Sequence, residues 1–175
     1  SLEFALKYNL PFLKIPSAMV TNHELLKSAA QTGMPILMST GMSTLKEVDN
    51  SVELLEKYAK SYAIMHCNSS YPTNPNELNL NLIPMLKERY DCIVGYSGHE
   101  FDLEPTVIAI ALGAKIIERH ITLSHNMWGT DQKASLEVHA MDILAKRIKS
   151  IENILGDGKK IVTESEKPVR EKLRI

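Results

Sequence analysis

No sign of charge dominates this chain: 20 Lys and Arg stand against 21 Asp and Glu, a formal net charge of −1. Without a basic surplus there is no electrostatic reason to expect nucleic acid or an anionic membrane surface as a partner. Long apolar runs are missing too, and none approaches the roughly 20 residues needed to cross a bilayer. Cysteine is scarce. Cys67 and Cys92 are too few for a disulfide framework, fit a reducing cytoplasm, and read as small core residues rather than nucleophiles. The opening Ser1-Leu2-Glu3-Phe4 has neither the basic start nor the apolar run of a signal peptide. It also lacks an initiator Met, which points to truncation. Low-complexity segments and internal repeats are absent. So is a glycine-rich phosphate turn, since the first apolar run leads into Lys14-Ile15-Pro16-Ser17-Ala18.

What is present is a regular alternation of short apolar runs and helical periodicity. Strands are expected at residues 12–17, 35–40, 62–67, 93–97 and 115–122. Two capping-box patterns, at Thr21-Asn22-His23-Glu24 and Thr44-Leu45-Lys46-Glu47, open helices after the first two. The second of these carries Leu45, Val48, Val52, Leu55 and Ala59 at helical spacing. Further helices are expected over 80–90, 103–112 and 138–155, and the charged tail from Lys159 is expected to wrap the surface or lead into a missing neighbour. Five βα units in a row imply parallel strands joined by right-handed crossovers. A doubly wound sheet would announce itself with the missing phosphate turn. An α/β barrel of the (β/α)8 TIM type instead sets functional side chains at the carboxyl ends of many strands.

Here every strand end is polar: Lys14 and Ser17, Ser39 and Thr40, Ser69, Ser97 and His99, Glu118 and His120. Five strands cannot close a barrel, so the chain reads as a partial one. Alternation along a strand puts Glu118 with His120 on one face and Ser97 with His99 on another. Two imidazoles at neighbouring strand ends suggest a metal with open positions, against the plainer role of a satisfied core histidine. Lys14 within an apolar run is costly unless paired, which favours an anionic ligand. Glu118 reads equally as a partner of a histidine, of Lys14 or of Arg119. The serines mean something only through their recurrence, because serine is a common helix cap. Trp128 reads as a loop anchor ahead of a sugar platform, and the eight Met as core filling.

These strand ends, in this order, resemble the sialic acid synthase family, which condenses phosphoenolpyruvate with an N-acetylated amino sugar. The matching stretches are KIPSA at Lys14, ILMSTGMSTLKEV at Ile36, HCNSSYPT at His66, GYSGHE at Gly95, IERHIT at Ile117 and GTDQKASLE at Gly129. The resemblance implies that Lys14, Ser17, Ser39, Ser69 and Ser97 cradle phosphoenolpyruvate. It implies that Tyr71 and Asp131 meet the sugar, and that His99 and His120 hold a divalent metal, Mn2+ or Mg2+. Glu118 joins the two histidines as a catalytic residue. The implied chemistry is an aldol-like addition in which the enol-phosphate C3 attacks the sugar aldehyde, water adds at C2 and phosphate leaves. The implied setting is a cytoplasmic homo-oligomer.

The chain departs from the pattern at Gly98, where the family often has Asp, and at Met19, where it often has an acidic residue. The acceptor sugar stays open for that reason. On this reading residues 1–175 are the C-terminal portion of the barrel domain, without its first three strands and without the family's antifreeze-like lid domain. A fragment of that kind is expected to self-associate through its edge strands or be poorly stable, and to lack turnover. Two alternatives stand beside it: another phosphoenolpyruvate-dependent aldol-type synthase, and a non-catalytic module for binding or assembly.

Overall fold

A computed structural model describes residues 2–174. Its elements run α1 (Leu2–Ala5), β1 (Leu13–Ile15), α2 (His23–Ala30), β2 (Ile36–Ser39), α3 (Leu45–Tyr58), β3 (Tyr62–Cys67) and α4 (Leu82–Tyr90). They continue with β4 (Ile93–Gly98), α5 (Glu104–Ala111), β5 (Ile116–Arg119), β6 (Ile121–Thr122), β7 (Leu136–Glu137), α6 (Val138–Leu155) and α7 (Lys167–Leu173). β1 to β5 form one parallel sheet in sequence order. Five parallel strands covered on the outside by helices make a half-barrel.

Local chemistry sets the helix starts. Thr44 Oγ1 accepts from the Glu47 N–H at 3.4 Å, and Glu47 Oε2 accepts from the Thr44 N–H at 2.7 Å, closing the expected box on α3. At α2 the cap is Asn22, not Thr21: Asn22 Oδ1 accepts from the Leu25 N–H at 3.0 Å. Asn competes well with Thr for that position, and it shifts the helix start by one residue.

The two faces of the sheet differ. On the convex side Leu13, Ile15, Ile36, Met38, Ile64 and Val94 pack with Leu26, Val48, Val52, Leu55, Ile83 and Leu86 of the helices. The concave side has a small apolar floor of Leu37, Ala63 and Met65, with Ile116 against it. Above that floor the in-register residues turn polar, as in Cys67 opposite Ser97 and Ser97 opposite Glu118.

Three expectations need correction. β5 does not run on to Thr122: it stops at Arg119, and Ile121–Thr122 pairs with Leu136–Glu137 instead. The Leu136 N–H donates to the His120 carbonyl at 2.8 Å and draws the chain away from β4. The tail from residue 159 does not wrap the body, being exposed at every described position although part of it is helical. Not every Met fills core either, since Met42 and Met127 are exposed.

Candidate active site

The carboxyl ends of the five strands surround a cleft of about 420 Å³, lined by Lys14, Ser17, Ser39, Ser69 and Ser97, with Tyr71, His99, Glu118 and His120. β1 carries Lys14 inward. Its Nζ donates to Ser39 Oγ at 2.7 Å and lies 3.3 Å from Glu118 Oε1. Ser97 Oγ donates to the same carboxylate oxygen at 2.8 Å. Glu118 therefore answers to Lys14 and Ser97. Arg119 points to the opposite face, where it meets Glu100.

Ser17 sits just beyond β1 and accepts from the Gly41 N–H at 3.0 Å. Cys67 Sγ lies 3.4 Å from Ser17 Oγ and 3.8 Å from Ser69 Oγ. Gly41 makes this convergence possible. A Cβ there would stand 2.2 Å from Ser69 Oγ, 2.8 Å from Cys67 Sγ and 2.9 Å from Ser17 Oγ. Hydroxyls and one ammonium directed into one small space suit a phosphate or carboxylate group.

The loop after β3 forms the other wall. Tyr71, joined to Pro72 by a cis peptide, packs against His99 at a tilt of 37° with ring centroids 4.2 Å apart and meets His120 edge-on at 5.5 Å. The two imidazoles stand 5.3 Å apart, nearly perpendicular. His99 Nδ1 is 2.6 Å from the Asn68 carbonyl. A carbonyl only accepts, so Nδ1 carries the proton and the Nε2 lone pair is free for a ligand. Burial holds the His99 pKa below the ordinary histidine range, partly opposed by that carbonyl. His120 Nδ1 lies 3.8 Å from Asp131 Oδ2, so Asp131 joins the site through His120 rather than by lining the cleft.

Two imidazoles on one side of a cleft are a donor set that a divalent cation fits, with its remaining positions left to water or substrate oxygens. Among the described residues no cluster of three or more His, Cys, Asp or Glu forms a ready metal cage.

A larger neighbouring cleft, about 650 Å³ between α3 and α4, shares Met42, Cys67 and Ser69 with the first. It holds no lysine or arginine. Its buried His66 is spent on the Leu78 carbonyl at 2.7 Å, with burial lowering its pKa. Size alone therefore does not move the site there.

Several participants escaped sequence reasoning. Cys67 is buried as expected, yet it lines the cleft, as alternation from Met65 would have indicated. Asn68 and Gly41 act through backbone groups and leave no side-chain signal. Trp128 anchors nothing with its ring, which is 99% exposed; only its carbonyl is engaged, by Gln132 Nε2 at 3.3 Å.

The NeuB family model matches residues 1–160. The N-acetylneuraminate-9-phosphate synthase of Drosophila melanogaster is 43% identical over 150 residues, 85% of this chain and 40% of that protein. The N,N'-diacetyllegionaminic acid synthase of Campylobacter jejuni is 37% identical over 169 residues, 95% of this chain and 51% of its own length. The crystal structure of an N-acetylneuraminic acid (sialic acid) synthetase from Leptospira borgpetersenii superposes with a TM-score of 0.87 at 34% identity, over 99% of this chain and 62% of that one. The chain thus spans about half the length of the curated relatives it matches.

Proposed function

The chain belongs to the NeuB family, and from that premise we propose that it serves a phosphoenolpyruvate-dependent synthase. The reaction condenses phosphoenolpyruvate with N-acetylmannosamine or a related amino sugar to give sialic acid or a similar nonulosonic acid, releasing phosphate. One observation carries the reading: Lys14, four serines, Glu118 and two histidines, from five strands and their loops, converge on one cleft.

In this reading Lys14, Ser17, Ser39, Ser69 and Ser97 bind phosphoenolpyruvate, the lysine as a point charge and the serines as compact donors. Tyr71 and Asp131 hold the sugar against the histidine side. His99 and His120 hold one divalent cation, Mn2+ or Mg2+, and imidazole nitrogen favours the softer Mn2+. When bound, the cation supplies Lewis-acid polarisation of the sugar aldehyde. C3 of the enol phosphate attacks that carbonyl carbon, water adds at C2, and phosphate departs by C–O cleavage. In this reading Glu118, which accepts from Ser97, takes the proton from the adding water after phosphoenolpyruvate has drawn Lys14 off its carboxylate.

Among the described residues no helix is long and apolar enough to cross a membrane, and the proposed setting is the cytoplasm. The proposed assembly of the full-length protein is a homo-oligomer.

The test is phosphate release by the full-length protein given phosphoenolpyruvate, Mn2+ and N-acetylmannosamine or its phosphate ester. Sugar-dependent release, absent with phosphoenolpyruvate alone, is expected. No release with any N-acetylated amino sugar would overturn the reading.

A further inference from the structure

The last backbone pair of the β4–β5 ladder is Gly98 opposite Arg119. His99 and His120 therefore stand one residue past the point where sheet hydrogen bonds hold the strands together. Back to back with them on the outer face, Glu100 and Arg119 form an ion pair, Oε1 to Nη1 2.9 Å, with both side chains 1% exposed. Arg119 Nη1 also donates to Thr106 Oγ1 at 2.9 Å and to the Asp102 carbonyl at 3.2 Å, while Nη2 donates to the Glu100 carbonyl. The Tyr96 hydroxyl donates to Glu100 Oε2 at 2.8 Å.

A pair buried this deeply is a poor device for stability, because stripping two charges of water offsets what their attraction returns. Among the described residues Arg119 Nε moreover finds no acceptor, although it is buried. What the pair does fix is position. Each of its members is joined by a single peptide unit to a histidine, Glu100 to His99 and Arg119 to His120. We infer that Glu100 and Arg119 are positioning residues, a clamp that sets the separation of the two imidazoles where the sheet no longer does. The inference rests on the reading of His99 and His120 as joint holders of one cation.

Gly98 supplies an independent handle. A Cβ at that position would lie 2.8 Å from both carboxylate oxygens of Glu100. The Glu100 carboxylate, with Tyr96 Cε1 also at 2.8 Å, thus fills the space a side chain at 98 would occupy. A carboxylate delivered from position 98 reaches the same place once position 100 is emptied and the Tyr96 ring edge yields by a few tenths of an ångström.

The test uses the full-length protein with two readouts: Co2+ affinity, and the through-space NMR contact between the His99 and His120 rings without metal. Arg119→Met and Glu100→Ala are each expected to lose roughly 10- to 100-fold in Co2+ affinity and to weaken the inter-ring contact. Arg119→Lys keeps the charge without the forked geometry; it should lose affinity too, and it carries the test if Arg119→Met does not fold. The double variant Gly98→Asp with Glu100→Ala should regain most of what Glu100→Ala alone loses, which a merely structural lesion would not do. Unchanged affinity and ring contact in folded Arg119 and Glu100 variants would overturn the clamp, as would a folded double variant with no recovery. If the unaltered protein binds no Co2+, the cation reading fails. The ring contact then decides the clamp alone: its loss in Arg119→Met supports the clamp, and its retention overturns it.

Discussion

Lys14 Nζ lies 3.3 Å from Glu118 Oε1 although the two residues belong to the two edge strands of the sheet. Five strands therefore curl far enough for the first and the last to touch side chain to side chain across the concave face. The pair is partly solvated, with the lysine side chain 28% exposed, and such pairs contribute only about 0–1 kcal/mol. A charge-assisted bond to a bound anion is worth about 1.5–3 kcal/mol. An incoming phosphate or carboxylate is therefore expected to draw Lys14 away from Glu118.

Lys14→Met is accordingly expected to raise the KM for phosphoenolpyruvate by roughly tenfold or more and to leave the sugar KM nearly unchanged. Steady-state kinetics of the full-length protein, varying each substrate in turn, checks this. Unaltered KM and kcat for phosphoenolpyruvate would remove Lys14 from the site.

Gly41→Ala puts a methyl group into the space shared by Ser17, Cys67 and Ser69. Small displacements of positioning groups cost on the order of 100-fold in rate, so the variant should lose most of its turnover. Its melting temperature should fall as well, by an amount matching the roughly 1–3 kcal/mol that overpacking costs, because the methyl enters a buried space already filled by Ser69, Cys67 and Ser17. Calorimetry beside activity separates the two effects. Full activity in a folded Gly41→Ala protein would count against the hydroxyl cradle.

Removal of metal by a chelator should abolish turnover, with recovery on adding Mn2+. His99→Ala and His120→Ala should each weaken Mn2+ binding, because one imidazole is a poor anchor for a weakly held ion. Paramagnetic titration of the single variants is the check. Undiminished affinity in both would exclude a shared site.

Acid should destabilise the protein through its buried histidines. Burial holds His99 and His66 below the ordinary histidine range, so below about pH 6.5 the unfolded chain binds protons that the folded chain resists. This contribution is complete above about pH 6.5 and is lost as pH falls toward the depressed values. Urea midpoints measured on either side of that pH, with and without His66→Gln, test it. A smaller drop on acidification is expected in the variant, and an identical drop would clear His66 of the effect.

Much of the frame was legible because its signals are local. Residues 62–67 read as a strand and fold as β3 with the same bounds, since an apolar run between polar turns has few alternatives. The α3 box at Thr44 and Glu47 formed because both partners lie within one turn. Lys14 stood out because a lysine inside an apolar run asks for a partner. Glu100 did not stand out. Within Ser97-Gly98-His99-Glu100-Phe101-Asp102 it reads as loop surface, and its burial depends on Arg119, which folding brings to it from the next strand. The break at His120 was hidden likewise, because Leu136 captures its carbonyl from a distant stretch of chain. What escaped is non-local pairing and backbone groups, neither of which leaves a periodic trace.

The uneven division of apolar residues between the two sides of the sheet has a consequence for how this molecule can change over generations. Folding energy is concentrated between strands and helices, where Leu26, Leu55, Ile64 and Ile83 have no solvent contact. The residues proposed to meet substrate stand on the other side, above a floor of only a few apolar side chains. Replacing a serine or a tyrosine there removes little buried hydrocarbon. If the proposed reaction holds, such a scaffold can exchange one acceptor for another by small steps on its inner wall while its outer packing stays as it is. The limit falls at Glu100 and Arg119, where the wall that binds and the packing that holds share the same short stretches of chain.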